Sequence, residues 1–389
     1  MKHTIIVTGS SGYLGSAICV DLARDNRVIG IDTRNPSKAL QKAAPNVQWE
    51  QVNIADVKSL KMVFSRNKSQ KPDIDFVIHF AAYYHYGKDW REEYCRTNIK
   101  GTQNIIETAH QFAVRRIIFA SSIASLRPPP RGGVLTEESS TDGSIPYSKS
   151  KSIGEALLAE NASRVPAIAL RLGGVFSDWC ELPPLYSLMK LWSRSGFIGR
   201  LVPGDGKSGF PYIHRYEMAR MVRRVIEMNN YLNRFDILFA SEDGCTRHED
   251  LFPIMRRAGG KNLTEKPIHI SPSLAMILLY GNYFLNLLRR KNTYERPWMI
   301  NYIDHPLVVD TTYTRKKIAW DPMPEYQILA RLPVLIHIFN SQRSRWEERN
   351  IRRNEGKYEY IGDIWNQEKE SLSCRRSAGA ARRNFSQKQ

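Results

Sequence analysis

The sequence predicts an α/β protein built on a doubly wound parallel sheet, with a smaller, irregular C-terminal lobe and a basic tail. Three observations lead there. Through residues 1–120, short β-branched runs alternate with segments of helical period, the pattern of successive βαβ units. A glycine-rich turn, Thr8-Gly9-Ser10-Ser11-Gly12-Tyr13-Leu14-Gly15, joins the first run to the first helical segment. After about residue 176 the alternation loosens into turn-rich pieces such as Pro183-Pro184 and Gly204-Asp205-Gly206.

The elements follow in order. Strands are expected at 4–8, 27–32, 47–52, 75–80, 115–120 and 166–171. Helices are expected at 13–25, 92–113, 147–162, 216–229 and 247–258. In the first helix, Leu14, Ile18 and Leu22 form an apolar stripe that can lie on the sheet. The apolar run 274–288 has 15 residues, short of the roughly 20 needed to span a bilayer. It reads first as a buried helix. The alternative is an interfacial helix, because Arg289-Arg290-Lys291 follow directly.

Composition narrows the class. The 389 residues suffice for one large domain or two ordinary ones. The five cysteines, Cys19, Cys95, Cys180, Cys245 and Cys374, are scattered without paired spacing. Neither a disulfide framework nor a metal site is expected, and a reducing, cytoplasmic setting fits. No signal-peptide pattern precedes Thr4-Ile5-Ile6-Val7. The net charge of +18 is compatible with a basic surface that has no partner, or with an anionic ligand or membrane. Nucleic acid is not expected. Residues 341–389 hold twelve Lys/Arg against seven Asp/Glu, and their last 18 residues have the composition of a disordered tail.

The glycine turn carries the first functional signal. Gly9 permits the tight turn, Gly12 admits a pyrophosphate close to the backbone, and Gly15 lets the helix approach the strand. The backbone N–H groups of Ser11, Gly12, Tyr13 and Leu14 open the helix toward an anion. Asp32 ends the second strand 17 residues after Gly15, near the spacing of a carboxylate on the adenosine ribose hydroxyls. That favours NAD; Arg34 beside it keeps NADP open, and a plain strand-end turn acid is the other reading of Asp32.

Tyr147-Ser148-Lys149-Ser150-Lys151 carries the second signal. Tyr147 and Lys151 are four apart and share one helix face. A tyrosine with a free pKa of about 10 becomes a usable proton acceptor when a cation favours its phenolate. Ser121 and Ser122 end the strand before it, where an open parallel sheet places its ligands.

With these motifs in order, the chain resembles the extended branch of the short-chain dehydrogenase/reductase superfamily over residues 1–335. Further matches are Phe76-Val77-Ile78-His79-Phe80-Ala81-Ala82, Asn98-Ile99-Lys100-Gly101-Thr102, Arg171 with Val175, and Lys317-Ile318-Ala319-Trp320-Asp321-Pro322. The resemblance implies a Rossmann-type fold. It implies Tyr147 as general acid/base, Ser122 as hydrogen-bond donor to the reacting oxygen, and Lys151 on the nicotinamide ribose. It also implies cofactor contacts from Asn53, Ile54, Ala81, Ala82, Asn98 and Val175, although Asn98 reads equally well as a helix cap. Asn53 stands where many members carry aspartate, and a proline common after Arg171 is replaced by Leu172. A homodimer packed through the Tyr147 helix is common among such proteins.

The substrate is read from departures. Nucleotide-sugar members usually carry Val-Tyr-Gly after the active-site serine, where this chain has Ser125-Leu126-Arg127. They usually carry Arg-Asp before the strand Tyr212-Ile213-His214, where this chain has Phe210-Pro211. The missing guanidinium would have clamped a diphosphate; Arg296 is a candidate for a second clamp. The expectation is therefore an NAD(P)-dependent dehydrogenase or reductase of a small, relatively apolar alcohol or ketone, in the manner of 3β-hydroxysteroid dehydrogenases or dihydroflavonol reductases. The alternatives are a nucleotide-sugar epimerase/dehydratase with tightly bound NAD, and a non-enzymatic dinucleotide-binding protein. Membrane contact is expected, if anywhere, through 274–291 or the basic tail. The expected division is 1–175 for the dinucleotide-binding domain with the reacting residues, 176–340 for the substrate lobe with segments returning to the sheet, and 341–389 for a basic, partly disordered tail.

Overall fold

A computed structural model of the chain describes residues 2–68, 73–85, 87–141, 145–260, 265–288 and 297–362. Its centre is a seven-stranded sheet. The strands are β1 (Thr4–Thr8), β2 (Arg27–Asp32), β3 (Val47–Gln51), β4 (Ile74–His79), β5 (Arg116–Ser122), β6 (Ala167–Leu172) and an edge strand, Phe235–Ala240. Their spatial order is Phe235–Ala240, β6, β5, β4, β1, β2, β3. Every pairing is parallel. The order reverses beside β1, and the crevice between β1 and β4 at their C-terminal ends is where such a sheet receives a ligand.

Helices cover both faces. α1 (Tyr13–Leu22), α2 (Lys38–Ala43), α3 (Val57–Lys68), α4 (Gly101–Gln111) and α5 (Pro146–Glu160) supply the crossovers of the first half. The strands are almost wholly buried because both faces are covered, which explains their continuous Val/Ile/Leu/Phe content. One core joins α1, the sheet and α7 (Arg215–Glu227); another lies under α3, α4 and α5. The helix expected at 92–113 begins as a π-helical segment, Tyr94–Lys100, before α4.

A third core builds the lobe from α6 (Pro183–Trp192), α8 (His248–Arg256) and α11 (Ile328–Ser341). The segment Phe235–Ala240 pairs in parallel with β6 at the edge of the main sheet. α9 spans Pro272–Leu288 and α10 spans Thr312–Ile318.

Two expectations are corrected. The run 274–288 is a helix but not a buried one: Leu274, Ile277, Tyr280, Phe284 and Leu285 are exposed, and among the residues 274–285, whose burial is described, only Ala275 is buried. The basic segment after 341 does not begin as a free tail. It forms α12 (Arg343–Asn354), whose Trp346, Arg349 and Asn350 are buried, and Tyr358 and Tyr360 then join the core beside Tyr13. Residues 363–389, Arg289–Lys291 and Arg296 lie outside the described residues.

Candidate active site

The glycine turn is shaped to admit a dinucleotide. Gly9 has φ +72°, and a Cβ there would lie 2.8 Å from the Ala81 nitrogen. A Cβ on Gly15 would run into the Gly9 carbonyl oxygen, so β1 and α1 approach this closely only with glycine. Gly12 caps α1 with no side-chain bond, and the first turn contains no acid. Of the N–H groups expected to face an anion, that of Ser11 is taken by Asp32 and that of Gly12 by the Gly9 carbonyl at 3.0 Å, which leaves those of Tyr13 and Leu14 at the start of α1 to receive a diphosphate. Leu14 is partly buried against the core, whereas Tyr13 is fully packed and its carbonyl accepts from Arg215 Nε at 2.6 Å.

Asp32 stands at the end of β2 beside this turn. Its Oδ2 accepts the Ser11 N–H at 2.9 Å and its Oδ1 accepts the Arg34 N–H at 3.0 Å. The Arg34 guanidinium lies 3.8 Å from the carboxylate and donates to the Tyr358 carbonyl at 3.1 Å. The C-terminal segment thus occupies part of Arg34's donor capacity, which disfavours its use for a 2′-phosphate.

Next to the turn, Ala81 N–H donates to Thr8 Oγ1 at 3.2 Å, and Ala82 follows in the same loop. Ile54 is buried against Gly101, and Asn53 uses its Oδ1 to accept the Ala55 N–H. Asn98 is not a cap. It lies buried within the π-helical segment, accepts the Tyr83 N–H at 2.7 Å, and donates to the Tyr83 carbonyl and to Ser150 Oγ. It therefore ties the 81–85 loop to α5. Val175 is buried in the strand Gly174–Phe176, which pairs with Tyr212–His214.

Of the three residues expected to react, Ser122 ends β5, and Tyr147 and Lys151 lie on α5, which packs against that strand. Proline at the first helical position starts α5 at Pro146. Tyr147 and Lys151 are both buried, one turn apart. The Lys151 ammonium lies 5.9 Å from the Tyr147 ring centroid and donates to the Ala120 carbonyl at 2.7 Å. Burial pushes its pKa down to about 8. Tyr84 packs edge-on against Tyr147, centroids 4.9 Å apart.

The two serines separate cleanly. Ser121 is buried and donates to Glu155, whose carboxylate is paired with Arg171 at 2.9 Å; both side chains are buried. Its hydroxyl is committed to structure. Ser122 is only partly buried, and its Oγ accepts the Ala124 N–H at 3.2 Å, leaving its proton free to donate. His79 bridges Thr8 and Thr102 beneath the site, and burial pushes its pKa down to about 3, so it is neutral.

Several contributors were not read from sequence. Ser177–Glu181 follows Val175 as a tight loop, with positive φ at Cys180 and Glu181. Arg331 of α11 pairs with Asp178 at 2.6 Å, and Arg349 of α12 pairs with Glu181 at 2.8 Å. Arg353 lies over the Tyr13 ring at 4.7 Å and the Tyr84 ring at 5.6 Å. The C-terminal helices thus hold this loop beside Tyr13 of the glycine turn, where the cofactor cleft is expected. Clustered buried arginines inside an otherwise basic tail were the available signal.

Comparison with known proteins agrees with this architecture. The model of the NAD dependent epimerase/dehydratase family matches residues 5–237, and the chain belongs to that family. UDP-glucose 4-epimerase 2 of Arabidopsis thaliana is 30% identical over 272 residues, covering 67% of this chain and 70% of that enzyme. UDP-glucose 4-epimerase 2 of Oryza sativa subsp. japonica is 26% identical over 244 residues, 60% of this chain; the chain spans only 56% of that relative's length. Among solved structures, dTDP-glucose 4,6-dehydratase from Bacillus anthracis str. Ames, in complex with NAD, aligns with a TM-score of 0.64 at 16% identity, covering 89% of this chain and 99% of that one. A UDP-N-acetylglucosamine 4-epimerase from Methanobrevibacter ruminantium M1 aligns with a TM-score of 0.64 at 19% identity, covering 88% and 100%.

Proposed function

We propose that this chain is an NAD-dependent epimerase or dehydratase of a nucleotide sugar, with Ser122, Tyr147 and Lys151 as its reacting residues. The observation that supports the reading is that Ser122 ends β5 while Lys151, one turn from Tyr147 on α5, donates to the Ala120 carbonyl of the same strand. The relatives, named as UDP-glucose 4-epimerases, support this substrate class over the apolar alcohol expected from sequence.

When bound, NAD supplies a hydride acceptor next to these side chains. The first-turn N–H groups of α1 would hold its diphosphate, and Asp32 would accept from the adenosine ribose. Lys151 holds the nicotinamide ribose and keeps a positive charge beside Tyr147. The Tyr147 oxygen would take the proton of a substrate hydroxyl and hold it for return to the same oxygen. Ser122 donates to that substrate oxygen throughout.

A second reading, a dehydrogenase of a non-nucleotide alcohol, is favoured by one observation. The strand Gly209–Phe210 ends in an aromatic ring packed on Tyr212, centroids 4.4 Å apart, where a diphosphate-binding arginine would stand.

The test is UDP-glucose/UDP-galactose interconversion by purified protein without added cofactor. Interconversion, lost by about 10²–10⁴-fold in Tyr147→Phe while bound NAD is retained, is the expected result. Absence of interconversion together with stoichiometric NAD reduction by a neutral secondary alcohol selects the second reading. A Tyr147→Phe variant with unchanged turnover removes both.

A further inference from the structure

α9 is the one long described helix with an apolar outer surface. Leu274, Met276, Ile277, Leu278, Tyr280, Phe284 and Leu285 are all exposed, with Ile277 at 65% and Phe284 at 59%. At about 100° per residue these positions cover an arc of roughly 200°, opposite the packed side marked by Ala275 and Leu279. The arc contains no charged residue. A helix presenting such a face to water would be unfavourable unless something covers it, because contiguous apolar patches of this kind mark interaction surfaces.

The helix is held firmly enough to act as a fixed surface. The strand Ile268–Ile270 just before it pairs in parallel with Leu201–Pro203, and α9 packs on the 3-10 turn Pro297–Tyr302. A cavity of about 640 Å³ opens at its N-terminal end, lined by Ser271, Pro272, Arg131, Lys207 and Arg247 among others.

We infer that α9 docks in the plane of an anionic lipid surface. Three features select lipid over a second protein. No described helix is long and apolar enough to cross a membrane, so an apolar helix of 17 residues can lie in the interface but not span. No Asp or Glu occurs between Lys266 and Thr293, while Arg289-Arg290-Lys291 follow the helix directly in sequence. The chain as a whole carries +18, so long-range attraction to an anionic surface adds to burial of the apolar face. Tyr280 and Tyr283 have the amphipathic rings that settle at headgroup level.

The experiment is co-sedimentation of the full chain with vesicles of phosphatidylcholine alone and of phosphatidylcholine with 30 mol% phosphatidylserine (about one lipid in three). Wild type should pellet with the anionic vesicles and be released by salt. Ile277→Glu/Phe284→Glu should lower retention by about tenfold or more, because both changes put charge on the apolar arc. Both sites are exposed, so the fold should survive, and unchanged NAD binding checks this. Arg289→Ala/Arg290→Ala/Lys291→Ala should remove most of the preference for anionic over neutral vesicles. Wild-type protein that ignores both vesicles, or a double glutamate variant that binds as well as wild type, overturns the inference. Light scattering that shows a wild-type dimer and a monomeric double variant, with no vesicle binding, assigns the face to a second copy instead.

Discussion

Replacing Arg349 by alanine tests how the C-terminal segment is joined to the site. In the native structure its Nε donates to Glu181 at 2.8 Å, and both side chains are nearly inaccessible, at 4% and 1%. Glu181 also accepts from Ser177 Oγ at 2.5 Å, and the Arg349 guanidinium reaches the Gly362 carbonyl at 3.2 Å. Removing the guanidinium leaves a buried carboxylate without its main counter-charge, which costs about 3–5 kcal/mol. The pH dependence follows from the same pair. Burial alone would raise the Glu181 pKa, but Arg349 and its neighbours hold it below the ordinary 4.5. A carboxyl depressed in the folded state stabilises above its unfolded pKa, and that stability is lost as pH falls through the folded value. The deficit of Arg349→Ala should therefore be largest at pH 7–8 and shrink toward pH 4.5, where Glu181 in the variant can protonate. Urea unfolding followed by tryptophan fluorescence, repeated across this range, reads it directly. Arg349→Met/Glu181→Leu, which removes both charges at similar volume, should recover most of the loss. A single variant that loses under about 1 kcal/mol at every pH, with a double variant no more stable, would refute the claim that this pair secures the cleft loop.

Two more variants separate structure from chemistry. Ser121→Ala should lower stability by about 1–2 kcal/mol, because Glu155 loses a buried donor, while Ser122→Ala should leave unfolding unchanged and reduce turnover; the opposite pattern would exchange their roles. Lys151 is held near 8 rather than 10.5, so between those values the unfolded chain binds a proton that the folded chain lacks, and the Lys151 contribution to stability rises with pH. Lys151→Met should therefore be more stable than wild type by up to about 3 kcal/mol at pH 7, with the gap closing toward pH 10.5. A gap independent of pH would mean that Lys151 is not buried as a cation.

The sheet and the glycine turn were legible because their determinants are local. β-branched runs, helical periods and a glycine turn each act within about ten residues, and Tyr147 with Lys151 needs only helical spacing. What escaped was set by distant partners. Arg349 and Glu181 are 168 residues apart, so a basic segment with a buried purpose reads as a solvated tail. The π-helical turn that aims Asn98 at Tyr83 depends on the loop it grips, whereas the sequence offered a cofactor contact and a helix cap as equal readings. The exposure of α9 was hidden for a related reason. Hydropathy registers how apolar a helix is, whereas burial depends on whether the rest of the chain offers it a complementary face.

The substrate class turns on where cationic charge remains in the lobe. Gly174 and Phe210 are matched: a Cβ on Gly174 would strike the Phe210 ring, so the aromatic side chain fills this wall and offers no donor to an anion. A nucleotide-sugar diphosphate must then find its positive charge elsewhere. The cavity beside Gly204 supplies candidates in Arg131, Lys207 and Arg247, alongside two carboxylates: Asp304, which accepts the backbone N–H groups of Asp205 and Lys207 at 2.8 and 3.0 Å, and Asp205, whose Oδ2 lies 3.8 Å from Lys207 Nζ. Arg247 is about half-exposed and bonds Glu249 at 3.2 Å and Cys245, and exposed pairs of this kind are worth little. If the diphosphate uses this cavity, Arg247→Ala and Lys207→Ala should each raise KM for a UDP-hexose by about tenfold with little change in kcat, the signature of lost ground-state and transition-state binding in equal measure. Unchanged KM in both variants would detach the cavity from the diphosphate, and with Phe210 at the other wall the non-nucleotide alcohol would become the better substrate to pursue.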